Sequence, residues 1–67
     1  MDDRRRVVRH TTTAVLRRVI YDALTLAARE GLNEAGRTDR AVAAVLAVEP
    51  EVTTQVARVI VERLRPN

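Results

Sequence analysis

Apolar and polar residues alternate along this 67-residue chain with the spacing of α-helices, and residues 13–30 carry the longest such pattern. At about 100° per residue their apolar side chains merge into one broad face, and the polar ones form only a narrow stripe. The apolar set is Val15, Leu16, Val19, Ile20, Ala23, Leu24, Leu26 and Ala27. A helix with so broad an apolar face has to pack against other helices on more than one side. We therefore expect a central helix with its own chain on one flank and a second copy on the other.

Local signals indicate where this first helix begins and ends. Any of the threonines at positions 11–13 could cap its first turn by accepting a hydrogen bond from a free backbone N–H. Gly31 is well placed to adopt the positive φ that often follows the last helical residue. Residues 33–38 contain a second glycine and little apolar content, which predicts a loop.

Two shorter helices are predicted after that loop, at about residues 39–48 and 50–65. Thr38 or Asp39 would cap the first of them, and Pro50, with its fixed φ, would open the second. The residues predicted to share the apolar face of the last helix are Val52, Val56, Val59, Ile60 and Leu64, and Ala57 and Val61 widen that face. The predicted fold is all-α: a compact, single three-helix domain over residues 11–67, preceded by a flexible basic arm at residues 1–10.

Small side chains limit the core that this domain can build. The chain has 10 Ala and 11 Val, no Phe or Trp, and a single aromatic residue, Tyr21. At roughly 25 cal/mol per Å² of buried apolar surface, such a core exceeds chain entropy by a narrow margin. We expect a homodimer, with a marginal monomer as the alternative. The candidate interface residues are Val15, Val19, Leu26, Val61 and Leu64.

Positive charge is concentrated near the N-terminus. Residues 1–18 hold six Arg against two Asp, and residues 19–67 hold six Arg against seven acids, for a net charge of +3. The basic arm is either a solvated terminus or a contact for phosphates or an acidic protein surface. Arg is the only cationic side chain type, which together with abundant Ala and Val is typical of a GC-rich genome, such as that of an actinobacterium or one of its phages.

Several functional classes are disfavoured by what the sequence lacks. It has no Cys, which excludes disulfides and thiolate chemistry and fits a cytoplasmic protein. It has no apolar run of 18 residues that could span a membrane. Its only histidine, His10, lies in the arm, and no nucleophile elbow, phosphate loop or metal-ligand spacing is present. We expect no enzymatic activity, no cofactor and no metal.

The predicted helix, sharp break and helix over residues 39–65 are the arrangement of a helix-turn-helix. The last helix would then be the recognition helix. On it, Thr54, Gln55 and Arg58 have side chains that can bond base edges or phosphates. Arg4, Arg5, Arg6 and Arg9 of the arm would hold phosphates, and Arg17 is a further candidate DNA contact.

Part of the chain also resembles a known family. The segments IYDAL at residues 20–24, Gly31, and VAAVLAVEP at residues 42–50 are similar to the N-terminal domain of tetracycline-repressor-type regulators. The resemblance covers residues 19–53 and implies a DNA-binding transcription regulator with a helix-turn-helix after a first amphipathic helix. This sequence departs from the pattern at Ala47, where Gly is favoured, and at Glu49, where Ser or Thr is favoured, and it lacks the aromatic pair of the recognition helix.

The charge balance of the last two predicted helices favours a second hypothesis, that the chain binds a protein instead of DNA. Residues 33–67 carry five Arg and five acids. Glu49 and Glu51 lie at the end of the last helix that would enter the major groove, where carboxylates repel phosphates. The alternative is a homodimeric helical adaptor or inhibitor that binds another protein, for example a small phage protein acting on a host factor. The wide apolar faces of the first and third helices favour such a role.

Overall fold

The computed structural model describes residues 12–66, which form three α-helices without a strand among them. The helices are α1 (Thr13–Arg29), α2 (Glu34–Val48) and α3 (Thr54–Leu64). The prediction of an all-α, three-helix fold is confirmed. The arm predicted at residues 1–10 lies outside the described part of the chain.

Each helix begins with the same side-chain cap. Thr12, Asn33 and Thr53 adopt extended backbone conformations, and the side-chain oxygen of each accepts a hydrogen bond from the backbone N–H three residues later. The three N···O distances are 3.2, 2.9 and 3.1 Å. Since a cap of this kind contributes about 1 kcal/mol, these residues fix the start of each helix.

The start predicted for α2 is wrong. The helix begins five residues earlier than expected, because Asn33 caps it. Gly36 therefore lies within its first turn. A Cβ at position 36 would lie only 3.1 Å from the Cβ of Leu32, so the glycine allows a close approach at the α1–α2 connection. Thr38, a predicted cap, is instead a buried residue inside the helix.

The start predicted for α3 is also wrong. Pro50 belongs to a turn at residues 49–52, in which the Val52 N–H donates to the carbonyl of Glu49 at 3.2 Å. Proline is favoured at the second position of such a turn. Thr53 then caps α3, which therefore starts four residues later than the proline signal indicated.

The end of α1 follows the sequence closely. Gly31 has a φ of +82°, as expected for the residue after a helix. Its N–H donates to the carbonyl of Ala28 at 3.0 Å, and the N–H of Leu32 donates to that of Ala27 at 3.1 Å. This pair of hydrogen bonds is a Schellman motif, which satisfies two of the carbonyls left open at the helix terminus.

The central helix is α2, not α1 as expected. It packs against both of its neighbours, whereas α1 and α3 contact each other much less. Alanines at the contacts let the helices approach closely. The buried apolar residues are Ile20 and Ala27 from α1, Ala41, Val42 and Val45 from α2, and Ala57 and Val61 from α3. Within residues 12–66, none of the helices has the length and apolarity needed to cross a membrane.

Candidate interaction surfaces

Arg65 links the end of α3 to the beginning of α2. Its Nη2 lies 2.9 Å from Oε2 of Glu34, and its Nη1 donates to Oγ1 of Thr38 at 3.5 Å. The Arg65 side chain is mostly buried, and it gives the buried Thr38 hydroxyl a partner. These contacts show that α3 runs antiparallel to α2.

Two further arginines attach α2 to the end of α1. Arg40 Nη2 lies 2.7 Å from Oε1 of Glu30, and Arg37 Nε donates to the carbonyl of Leu32 at 2.9 Å. Much of the positive charge on α2 is therefore engaged within the fold and contributes little to a cationic surface.

Arg58, one of the predicted groove-facing residues, points toward α2. Its Nη2 lies 3.6 Å from Oδ1 of Asp39, and both side chains are substantially exposed. An ion pair at this distance in solvent contributes roughly 0–1 kcal/mol. The pair nevertheless directs the guanidinium toward the protein's own carboxylate.

The other predicted DNA contacts are spread over two helices or lie beyond them. Thr54 and Gln55 are exposed in the first turn of α3, and Arg17 is exposed in the second turn of α1. Arg17 therefore lies on a different helix from Thr54 and Gln55, and these two helices contact each other little. The candidates Arg4, Arg5, Arg6 and Arg9 lie outside the described residues.

The outward face of α3 carries apolar side chains that the sequence assigned to the core. Val56 and Val59 are 46% and 49% exposed, because α3 turns Ala57 and Val61 toward α2 instead. Arg63 lies one turn beyond Val59 on the same face and is also exposed. We call Val56, Val59 and Arg63 the α3 strip. A helical-wheel projection of the sequence could have revealed the α3 strip, since its positions lie far around the helix axis from Ala57 and Val61.

A second exposed apolar line runs along α1. Val15 and Leu26 are 47% and 53% exposed, and Val19 between them is half-buried. Asp22 occupies the remaining position of this line. We call Val15, Val19, Asp22 and Leu26 the α1 strip. It contains three of the five residues predicted for a dimer interface.

The other two residues of that predicted interface pack in the protomer's own core. Val61 is fully buried by the three helices of a single chain, so it presents no surface to a second one. Leu64 is half-buried against the same core. Any subunit contact by α3 would therefore have to use other residues of that helix.

A shallow depression of about 300 Å³ overlaps the α1 strip at Asp22 and Leu26. Its lining residues all belong to α1, and they are Tyr21, Asp22, Thr25, Leu26 and Arg29. Because one helix provides the whole lining, the depression is a groove between neighbouring side chains rather than an enclosed site. Among residues 12–66, no group of three or more His, Cys, Asp or Glu side chains is placed to hold a metal ion.

The chain was compared with protein-family models, with curated proteins and with solved structures, and it matches none of them.

Proposed function

We propose that this protein is a non-enzymatic helical module that binds another protein through the α3 strip. The observation that carries the proposal is the pair of half-exposed valines on the outward face of α3. Single exposed apolar residues are ordinary on protein surfaces. Here two lie one turn apart, with Ile60 half-buried beside them, which gives a continuous apolar line of the kind that accepts a partner helix.

Arg63 defines the chemistry expected of the partner. It extends the apolar line with one positive charge, so a matching surface would be apolar with a carboxylate at one end. Burying the exposed half of Val56 and of Val59 would contribute roughly 1 kcal/mol each. An ion pair with Arg63 would then favour one orientation of the partner over the reverse.

The same face is poorly suited to the major groove of DNA. Val56 and Val59 would occupy the positions nearest the base edges, where polar side chains are needed. Arg58 is directed toward Asp39. Residues 12–66 hold eight Arg and seven acidic residues, a net charge of +1, which gives little attraction to phosphates. The absence of Cys from the sequence fits a reducing cytoplasm, where we propose that the protein acts.

Site-specific cross-linking followed by titration tests the α3 strip. A photo-reactive amino acid at position 59 is expected to capture a protein from a GC-rich bacterial lysate, whereas the same probe at Tyr21 is not. The captured protein would then be purified and titrated with variants. Val59→Glu and Arg63→Glu should weaken binding at least tenfold, and Tyr21→Glu, which changes an equally exposed residue on α1, should not. Unchanged affinity of both α3 variants would refute the proposal.

DNA binding is the second candidate, favoured by the exposure of Thr54 and Gln55 at the N-terminal end of α3. In this mechanism Arg4, Arg5, Arg6 and Arg9 hold phosphates, while the two polar residues approach base edges, and the protein regulates transcription. Because counterion release dominates such binding, affinity for duplex DNA should fall steeply with salt in a gel shift. No shift at about 50 mM salt would exclude this candidate. A variant lacking residues 1–10 with undiminished affinity would exclude the role of the arm.

A further inference from the structure

We propose that the α1 strip pairs with the α1 strip of a second copy of the chain, with the two helices antiparallel about a two-fold axis at the level of Ile20. The inference rests on residues of α1 and the adjacent edge of α2. It is independent of the α3 strip, so the two proposals can fail separately.

The spacing of the α1 strip is that of a helix–helix seam. Val15, Val19, Asp22 and Leu26 follow one another at intervals of four, three and four residues, the alternation found in coiled coils. The apolar residue at each end of the line is about half-exposed in the single chain. A second helix laid along this line would cover both.

The charge of Asp22 in the α1 strip and that of Arg18 beside it favour a second copy of the chain as the occupant. Arg18 and Asp22 are 80% and 68% exposed, and Arg18 Nε is 3.9 Å from Asp22 Oδ2. That distance is too long for a hydrogen bond, so each group retains bonding capacity. A surface that carries one cation and one carboxylate side by side is complementary to itself when one copy is reversed.

The apolar pair, Val15 and Leu26, and the charged pair, Arg18 and Asp22, fit nearly the same antiparallel alignment of two α1 helices. The midpoint of Val15 and Leu26 falls within half a residue of Ile20, which is itself the midpoint of Arg18 and Asp22. Half a residue is less than about 1 Å along a helix. One two-fold axis therefore brings Val15 against Leu26 of the second copy and places Asp22 of the second copy beside both Val19 and Arg18, each twice. A parallel pair would instead place like charges together.

The edge of α2 beside α1 extends the proposed interface. Arg40 contacts Glu30 at the end of α1. Ala44 and Val48 lie one and two turns further along the same edge of α2. Val48 is exposed, and Ala44 is half-buried. In the proposed dimer these two residues would add apolar surface from α2 to that of the α1 strip.

The size of this surface indicates a weak dimer. The 17 residues of α1 span about 25 Å, and a helix about 10 Å wide covers roughly 250 Å². Stable interfaces bury about 800 Å² per partner. Even with the edge of α2 included, the contact is below that size, so we expect a dissociation constant of roughly 10–100 µM.

Sedimentation equilibrium of the full chain from about 5 to 500 µM tests the surface. The wild-type protein should shift from monomer to dimer across this range, and Leu26→Glu should stay monomeric. Val59→Glu is the matched control, since it places the same charge at an equally exposed position on α3, and it should dimerise normally. A wild-type monomer at 500 µM, or equal loss in both variants, would overturn the proposal.

Charge reversal tests the register. Arg18→Asp gives two acids per copy and Asp22→Arg gives two arginines, so each variant alone should dimerise about tenfold more weakly than the wild type. An equimolar mixture should recover dimerisation, because both cross-pairs are then opposite in charge. Pairing within one helix cannot produce this recovery. Circular dichroism on each variant confirms that it is folded. A mixture no stronger than its components, or single variants that associate normally, would refute the antiparallel register.

Discussion

Val59 and Val61 provide a matched test of which face of α3 is buried. Both are valines in the middle of the same helix, but Val61 is fully buried and Val59 is about half-exposed. The same substitution, valine to alanine, removes the same two carbon atoms at each position. The difference in stability between the two variants therefore reports the difference in burial.

The magnitude follows from the environment of each side chain. Removing two buried carbons from Val61 costs about 1.6 kcal/mol of transfer free energy, and the cavity left in the core raises the loss to roughly 2–3 kcal/mol. Alanine is the better helix former by about 0.5 kcal/mol at both positions. We expect Val61→Ala to lower the free energy of unfolding by about 2 kcal/mol. Val59→Ala should stay within about 0.5 kcal/mol of the wild type.

Urea unfolding followed by circular dichroism at 222 nm measures both values. For a domain of this size, about 2 kcal/mol corresponds to a fall in Tm of roughly 10 °C, so thermal unfolding gives an independent check. Equal destabilisation by the two variants would refute the burial of Val61 relative to Val59. A larger loss for Val59→Ala would restore the face first predicted from the sequence, and with it remove the basis of the α3 strip.

Three further predictions concern the ends of the helices. Gly31→Ala should destabilise the fold by about 1–2 kcal/mol through backbone strain alone, because the added Cβ would have no other atom near enough to clash with it. An unchanged Tm of this variant would contradict the prediction. Asn33→Ala should cost about 1 kcal/mol in urea unfolding and Asn33→Asp almost nothing, whereas equal losses would argue against the cap. A double-mutant cycle with Arg65→Met and Glu34→Gln measures the coupling free energy between the two side chains. Because Glu34 is largely exposed, we expect a coupling below about 1 kcal/mol that declines in high salt. A coupling that does not change with salt would be inconsistent with an ion pair.

The number and order of the helices could be predicted from the sequence because helical periodicity is a local property. The same is true of the end of α1, where Gly31 takes the φ that an L-residue rarely adopts. The start of α2 could not be predicted, because Asn33 and Asp39 are both good caps. In the structure Asn33 is the cap, and the first turn that it adds contains Glu34, which contacts Arg65 from the distant end of α3.

The candidate surfaces depended even more on distant contacts. The helical wheel of α3 offered one wide apolar arc, with Val56 and Val59 toward one edge and Ala57 and Val61 toward the other. The structure buries the edge with Ala57 and Val61, where the small side chain of Ala57 lets α3 lie close to α2. Val52, Ile60 and Leu64 pack against the core as the sequence indicated, whereas Val56 and Val59 are exposed. The apolar pattern alone could not show which edge of so wide an arc faces solvent.

The central position of α2 has a consequence for how the outer surfaces can change. Because α1 and α3 contact each other little, a substitution on the outside of one helix has few direct routes by which to disturb the other. Effects of mutations at well-separated positions without shared contacts usually add. Substitutions in the α1 strip and in the α3 strip should therefore change stability nearly additively, so that the surface of one helix can be altered with little effect on the packing of the other.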